Sequence, residues 1–299
     1  MIGFDTLHSE LLNSHHNQKL HHAILLHGKK GTGKSSFAKE FARNILQNTQ
    51  DINPDLLIIE KEDKKKEITV NKARDVINFI NKTSASSPYK FIIIDSACEL
   101  NKSAANAVLK VLEEPHANNF LILISHNLNK VLPTIRSRCQ IIQAPNLTMT
   151  DFNQILEQQN LQFPENDLKF LSEICDNSPA EVINAGLDLI RFYELFLRSI
   201  CNNKIGDELI KQISNKEFNF TIVEKSFEFF ITRLLKQIHG AKINHYFDEE
   251  KVFLRLSQKF STQELLAIGE SNLSLLRKTL PISLDKKLSF INIFNTLYV

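Results

Sequence analysis

From Gly28 to Ser35 the chain reads Gly-Lys-Lys-Gly-Thr-Gly-Lys-Ser. Glycines at this spacing let successive backbone N–H groups turn toward one centre, where they can hold the oxygens of a phosphate. Lys34 then brings a positive charge to the outer phosphates of a nucleotide, and the Ser35 hydroxyl can serve as a ligand for Mg²⁺. The candidate nucleotide-binding set is therefore Gly28, Gly31, Thr32, Gly33, Lys34, Ser35 and Ser36.

Such a site needs a second carboxylate at the end of another strand to hold the metal's water shell. Asp95, closing the run Lys-Phe-Ile-Ile-Ile-Asp, has that place, so Ser35 and Asp95 are the expected Mg²⁺ positions for bound ATP or ADP. Hydrolysis needs one thing more, a base or water-positioning group beside the Asp. Many ATPases with this loop carry Glu there, whereas this chain has Ser96. A serine hydroxyl has no basicity near neutral pH. Glu99 is the nearest following carboxylate that could point back. The residues thus predict nucleotide binding with slow or absent turnover.

A phosphate-binding loop works only between a strand that delivers it and a helix whose N-terminal amides face the anion. Ala23–His27 has strand character and Ser35–Gln47 a helical pattern. Four further apolar runs follow, at residues 56–60, 91–95, 120–125 and 139–144. All are apolar enough to be expected of strands covered on both faces. Helical patterns at Val70–Lys82 and Lys102–Glu114 lie between them, the second with Asn101 as candidate cap and Pro115 as stop. Strands alternating with helices predict a parallel sheet wrapped on both sides. Beyond Pro145 the patterns are helical to the end, broken by Pro164 and Pro179, with Asp151 and Ser178 as candidate caps.

Composition sets limits. A net charge of +2 on 299 residues predicts that any nucleic-acid contact is a local patch, and Lys102, Lys110 and Lys130 are candidates for a phosphate backbone. The charged run Glu60–Glu67 reads as an exposed loop. Four cysteines (Cys98, Cys139, Cys175, Cys201) show no Cys-x-x-Cys pair and read as buried free thiols, and the ten histidines show no metal-ligand spacing, so no zinc is expected. His22 is placed at the mouth of the first strand. With no run of about 18 apolar residues and no basic-then-apolar start, the expectation is a cytoplasmic protein without a membrane partner.

Two longer motifs carry a resemblance. Val108-Leu109-Lys110-Val111-Leu112-Glu113-Glu114-Pro115 and Leu132-Pro133-Thr134-Ile135-Arg136-Ser137-Arg138-Cys139 resemble the LLKxLEEP and LPTIxSRC hallmarks of the clamp-loader AAA+ proteins of bacterial replication. The likeness runs from about His22 to Cys139 and more loosely beyond. It implies an α/β P-loop AAA+ domain at 1–146 with a five-stranded parallel sheet and helices on both faces. A three-helix lid at 147–200 and an all-α collar at 201–299 would follow. It also implies membership of a hetero-pentameric ring that loads a sliding clamp onto primer-template DNA, touching the DNA through its backbone. The arginine of Ser-Arg-Cys projects in that family toward a neighbouring subunit's ATP. Here it is Arg138, the expected catalytic residue in trans, with Arg136 the lesser candidate.

Two departures matter. Alignment on Asn177-Ser178-Pro179-Ala180 puts Ala180 where motor subunits carry a phosphate-sensing lid arginine, and the four-cysteine zinc module of several relatives is missing. Asp95-Ser96 and Ala180 together imply a largely non-motor subunit. An ATP-hydrolysing motor subunit of the same loader is the alternative. A free-standing P-loop kinase or NTPase is the remote one, and it leaves the Ser-Arg-Cys segment unexplained.

Overall fold

The computed structural model describes residues 1–47, 53–62, 67–282 and 284–297. The chain divides into two compact units, Met1–Ile155 and Leu156–Val299.

The first unit is built on β1 (Ala23–His27), β2 (Leu56–Ile59), β3 (Lys90–Ile94), β4 (Asn119–Ser125) and β5 (Gln140–Gln143), with α1 (Asp5–His16), α2 (Lys34–Leu46), α3 (Val70–Ile80), α4 (Lys102–Glu113) and the one-turn α5 (Pro133–Arg136). All strand pairs are parallel, in the order β2-β3-β4-β1-β5. Alternation along the strands divides the core into two layers. Leu25, Ile92, Ile94 and Leu123 face Val76 of α3 and Val108 and Leu112 of α4. Ile24, Leu26, Ile93 and Ile124 face Leu11 of α1 and Phe37 and Phe41 of α2. The expected α/β sheet with helices on both faces is what the chain forms.

One expectation fails at the sheet's rim. β5 is not covered on both faces: Ile141 is 46% exposed and Gln140 and Gln143 are exposed as well. β5 pairs with β1 alone and stands at the edge, which explains why glutamines flank its two isoleucines. α1 was not legible, because few of its side chains are buried and its sequence has no strong apolar stripe.

Helix ends show which caps work. The Asn101 side chain accepts from the Ala104 amide at 2.9 Å, as expected. Asp151 does not cap: Thr148 does, its hydroxyl accepting from the Asp151 amide at 3.1 Å while the Asp151 carboxylate accepts from the Thr148 amide at 2.9 Å. This reciprocal pair is a capping box displaced three residues upstream of the expected cap. Ser178 stands at the N-cap position, but its hydroxyl makes no capping bond and is buried without a partner among the described residues.

α6 (Met149–Gln158) runs from the first unit into the second, which is helical: α7 (Glu165–Ile174), α8 (Pro179–Cys201), α9 (Asp207–Ser214), α10 (Thr221–Ile238), α11 (Glu249–Lys259), α12 (Thr262–Thr279) and α13 (Lys286–Thr296). α9 and α11 went unmarked in the sequence. Inside this unit Arg233, 2% exposed, donates from Nε and Nη2 to the wholly buried Glu249 at 2.9 Å each and from Nη1 to Glu173 at 2.6 Å. The Tyr193 hydroxyl donates to Glu249 at 2.5 Å and that of Tyr246 to Glu173 at 2.9 Å. This polar cluster joins α7, α8, α10 and α11.

Candidate functional site

The phosphate-type loop begins where β1 ends. Gly28 donates its amide to the Ser125 carbonyl at 3.1 Å, so the loop starts beside the end of β4. A Cβ at Gly28 would lie 3.0 Å from that of Ala144, so a side chain there would fit only if Ala144 gave way by a few tenths of an ångström. At the other end Gly33 has φ of +91°, a conformation that L side chains rarely adopt, and it is the N-cap of α2. No side chain among the described residues caps that helix, and its first turn carries no acid. Its N-terminal amides are left for an anion.

Lys34 is buried, 5% exposed, and folds back on the loop: Nζ donates to the Gly28 carbonyl at 2.9 Å and to that of Lys29. Burial pushes its pKa down to about 8, while Asp95 and, less, Cys98 pull the other way. Lys34 and Asp95, 61 positions apart in the sequence, thus share one electrostatic environment. Thr32 is buried and donates its hydroxyl to the Lys29 carbonyl at 3.0 Å. The Ser35 hydroxyl is buried and has no partner among the described residues. An orphaned hydroxyl on the first turn of this helix fits the role of a cation ligand, since burial without a partner otherwise costs about 1–3 kcal/mol. Ser36, the next position, is exposed. Asp95 follows β3 directly, its amide bonded to the Ile59 carbonyl at 2.8 Å.

Ser96 turns the chain sharply after Asp95, with φ of +68°. Glu99 does not serve as a base in this arrangement, because its carboxylate is paired with Lys61 at 2.9 Å. Of the Glu60–Glu67 run, 63–66 lie outside the described residues; Glu60 is paired with Lys39 at 2.7 Å.

His126 was missed by sequence reasoning. It follows β4 at the carboxyl edge of the sheet, and its Nδ1 lies 3.4 Å from the Cys98 sulfur. Burial depresses its pKa, Glu99 raises it, and Lys30, Lys34 and Lys130 depress it further. Strand register could have found it: Ser125 pairs with His27, so the next residue of each strand faces the same crevice. His22, expected at the mouth of β1, precedes the opposite end of that strand, away from the loop.

Arg138 lies just beyond α5. Its Nη2 is 2.9 Å from Glu113 Oε1, and Nη1 donates to the Thr134 carbonyl at 3.1 Å and to the Ser137 hydroxyl at 3.3 Å. The side chain stays 38% exposed. Arg136 is half-buried, and Lys102, Lys110 and Lys130 are exposed. Ala180 is the second residue of α8, in the other unit.

Among the described residues no group of three or more His, Cys, Asp or Glu side chains could hold a metal ion. No described helix is long and apolar enough to cross a membrane.

Residues 4–148 match the family described as DNA polymerase III, delta subunit. Over 135 residues the chain is 35% identical to DNA polymerase III subunit delta′ of Pseudomonas aeruginosa, an overlap of 40% of this chain and 41% of that one. It is 29% identical over 205 residues to DNA polymerase III subunit gamma of Buchnera aphidicola subsp. Schizaphis graminum, covering 62% of this chain and 56% of that protein. The chain spans about half the length of the curated relatives it matches. Among solved structures, a gamma-subunit-related protein of DNA polymerase III from Thermotoga maritima superposes with a TM-score of 0.56 over 99% of this chain and 98% of that one, at 15% identity. At that identity the likeness shows the fold alone, a parallel sheet with helices followed by an all-helical part. Over its first half the chain is thus similar in sequence to DNA polymerase III delta′ subunits, the stretch that holds the two long motifs.

Proposed function

We propose that this chain is a delta-prime-type subunit of a DNA polymerase III clamp loader, a largely non-motor AAA+ subunit that helps to place a sliding clamp on primed DNA. The observation that carries the reading is the division of labour in the first unit. The loop, Lys34, Ser35 and Asp95 make a site that can hold a nucleotide, Ser96 leaves it without a base, and Arg138 is held at the surface at a different place.

In this reading the amides of Gly28 to Ser35 and the α2 N-terminus cradle the phosphates of ATP or ADP, with Lys34 leaving the Gly28 and Lys29 carbonyls to meet them. Ser35 and Asp95 would hold Mg²⁺, which when bound neutralises phosphate charge. Ser96 and Ala180 supply neither a proton acceptor nor a cation, so turnover in this chain is slow. Arg138 acts elsewhere. Its guanidinium, always charged and forked, would neutralise charge on the triphosphate of the adjoining subunit.

Residues 1–146 would be the AAA+ domain, 147–200 the lid and 201–299 the collar of a hetero-pentameric ring. The buried Arg233 cluster links Glu173 of the lid to Arg233 and Glu249 of the collar, which supports these two parts moving as one. Exposed Lys102, Lys110 and Lys130 could meet the DNA backbone without reading sequence. The rival reading, a gamma- or tau-type motor subunit, draws on the intact loop and on the overlap with a gamma subunit.

Size-exclusion chromatography of the chain mixed with the other loader subunits tests the assignment. A pentamer containing this chain is expected, and a chain that stays monomeric in every mixture overturns it. The ATPase rate of the isolated chain then separates the two roles: turnover at a motor subunit's rate favours the rival.

A further inference from the structure

We propose that Glu113 is the positioning residue of Arg138, fixing the guanidinium on this chain's surface before a neighbouring triphosphate arrives. The inference rests on the reading of Arg138 as a residue acting in trans.

The geometry comes from two short elements packed together. Ile135 of α5 is wholly buried in the layer that holds Val108 and Leu112 of α4. That contact brings the Ser137-Arg138 segment alongside the last residue of α4, which is Glu113. An arginine has five N–H donors in a rigid fork. Among the described residues two are engaged, both on Nη1, by the Thr134 carbonyl and the Ser137 hydroxyl, while Nη2 makes an ion pair with the Glu113 carboxylate. The Nε–H and the Nη2 hydrogens have no hydrogen-bond partner there. The fork is therefore anchored on one side and open on the other, and with the two side chains 38% and 45% exposed the open side reaches solvent.

This arrangement has a physical consequence. An unheld arginine on a surface samples many rotamers, and ordering it against a phosphate costs side-chain entropy. Anchoring it beforehand moves that cost out of the catalytic step. Glu113 can keep its hold while the remaining donors meet a phosphate, because a guanidinium can bridge two anions. Glu113 touches neither nucleotide nor reacting atoms and acts only through Arg138.

The test uses reconstituted loader rings carrying this chain as wild type, Glu113→Ala, Glu113→Gln, Arg138→Ala or the Glu113→Ala/Arg138→Ala double variant. Clamp- and DNA-stimulated ATP hydrolysis is followed against ATP concentration. An exposed ion pair predicts a drop in kcat of about two- to fivefold for Glu113→Ala at unchanged KM. Glu113→Gln, which keeps an acceptor oxygen, should lose less. The double variant should match Arg138→Ala. An unchanged or raised kcat for Glu113→Ala, or a further loss when it is added to Arg138→Ala, overturns the positioning role. Arg138→Ala itself is expected to lower kcat about a thousandfold. If instead it leaves kcat at wild type, the in-trans reading is what falls, and the proposal falls with it.

Discussion

The Lys34 ammonium donates to the Gly28 carbonyl at 2.9 Å, so the lysine that would grip phosphate holds its own loop closed instead. Phosphate must displace those carbonyls, and the buried ammonium, with a pKa pushed down to about 8, must be charged to do it. The sign follows directly. Below pH 8 Lys34 is protonated in both the folded and unfolded chain, and burial of its charge weighs against folding. Between pH 8 and the ordinary lysine range the unfolded chain binds more protons, so this destabilisation is relieved as pH rises. Nucleotide binding runs oppositely. Bound phosphates keep Lys34 charged, so above pH 8 binding takes up a proton and affinity should fall by up to about tenfold per pH unit. Titration of a fluorescent ATP analogue from pH 7 to 9.5 should show this decline, with Lys34→Met weak and flat. A flat wild-type profile would refute the coupling.

Ser96 invites restoration of a carboxylate. Ser96→Glu puts a base next to Asp95, but on a left-handed residue (φ of +68°, a strain Ser96 already bears) whose side chain is not aimed by a regular element, and in a chain with Ala180 on α8. Hydrolysis by the isolated variant should therefore rise by no more than about tenfold, well short of the 10²–10⁴ that a well-placed base brings. Single-turnover release of labelled phosphate measures it. A gain above about a hundredfold would mean that the base was the sole missing part.

Much of the first unit could be read directly from the residues. β1 begins and ends where its apolar run does, and Asn101 caps the helix it was expected to cap. Strand, loop and helix are local patterns, so Lys34, Ser35 and Asp95 could be named from spacing alone. What stayed hidden depends on which strands are neighbours. β5 is apolar at its centre yet exposed, because only the order β2-β3-β4-β1-β5 makes it an edge. His126 and Cys98 meet across 28 positions, and Glu113 meets Arg138 only because α5 packs on α4. Such pairings are properties of topology, and no window of sequence contains them.

The thiols can be ranked by burial. Cys139 is pushed up to about 12 and Cys175 to about 11, in both cases chiefly by burial, although Lys225 pulls Cys175 down somewhat. At pH 8 these values leave thiolate fractions of roughly 10⁻⁴ and 10⁻³, against roughly a quarter for an unperturbed thiol. Iodoacetamide at pH 8 should leave both unmodified in the native chain over times that label them fully in urea, as read by peptide mass spectrometry. Only Cys175 is fully buried; Cys98, Cys139 and Cys201 are half-buried, against the expectation of four buried thiols. Rapid native labelling of Cys139 would show that its surroundings do not hold the thiol protonated.

Arg233 has two carboxylate partners in contrasting settings, and this predicts unequal costs. Glu249 is wholly buried, accepts two bonds from Arg233 and one from the Tyr193 hydroxyl, and also takes the Tyr246 amide at 2.9 Å. Replacing it by Gln leaves a 2%-exposed guanidinium short of its main counter-charge, a change that costs about 3–5 kcal/mol where buried pairs are broken. Glu173 is 43% exposed, and its side of the cluster is screened by water. Glu173→Gln should therefore cost about 1 kcal/mol or less. Urea unfolding followed by far-UV circular dichroism should separate the two by their midpoints at similar slopes. Removing both charges, as in Arg233→Met/Glu249→Leu, should recover part of the loss from Glu249→Gln, since a missing pair is tolerated better than half of one. If Glu173→Gln proved as damaging as Glu249→Gln, the exposed carboxylate would be an equal partner, and burial could not be what sets the strength of this cluster.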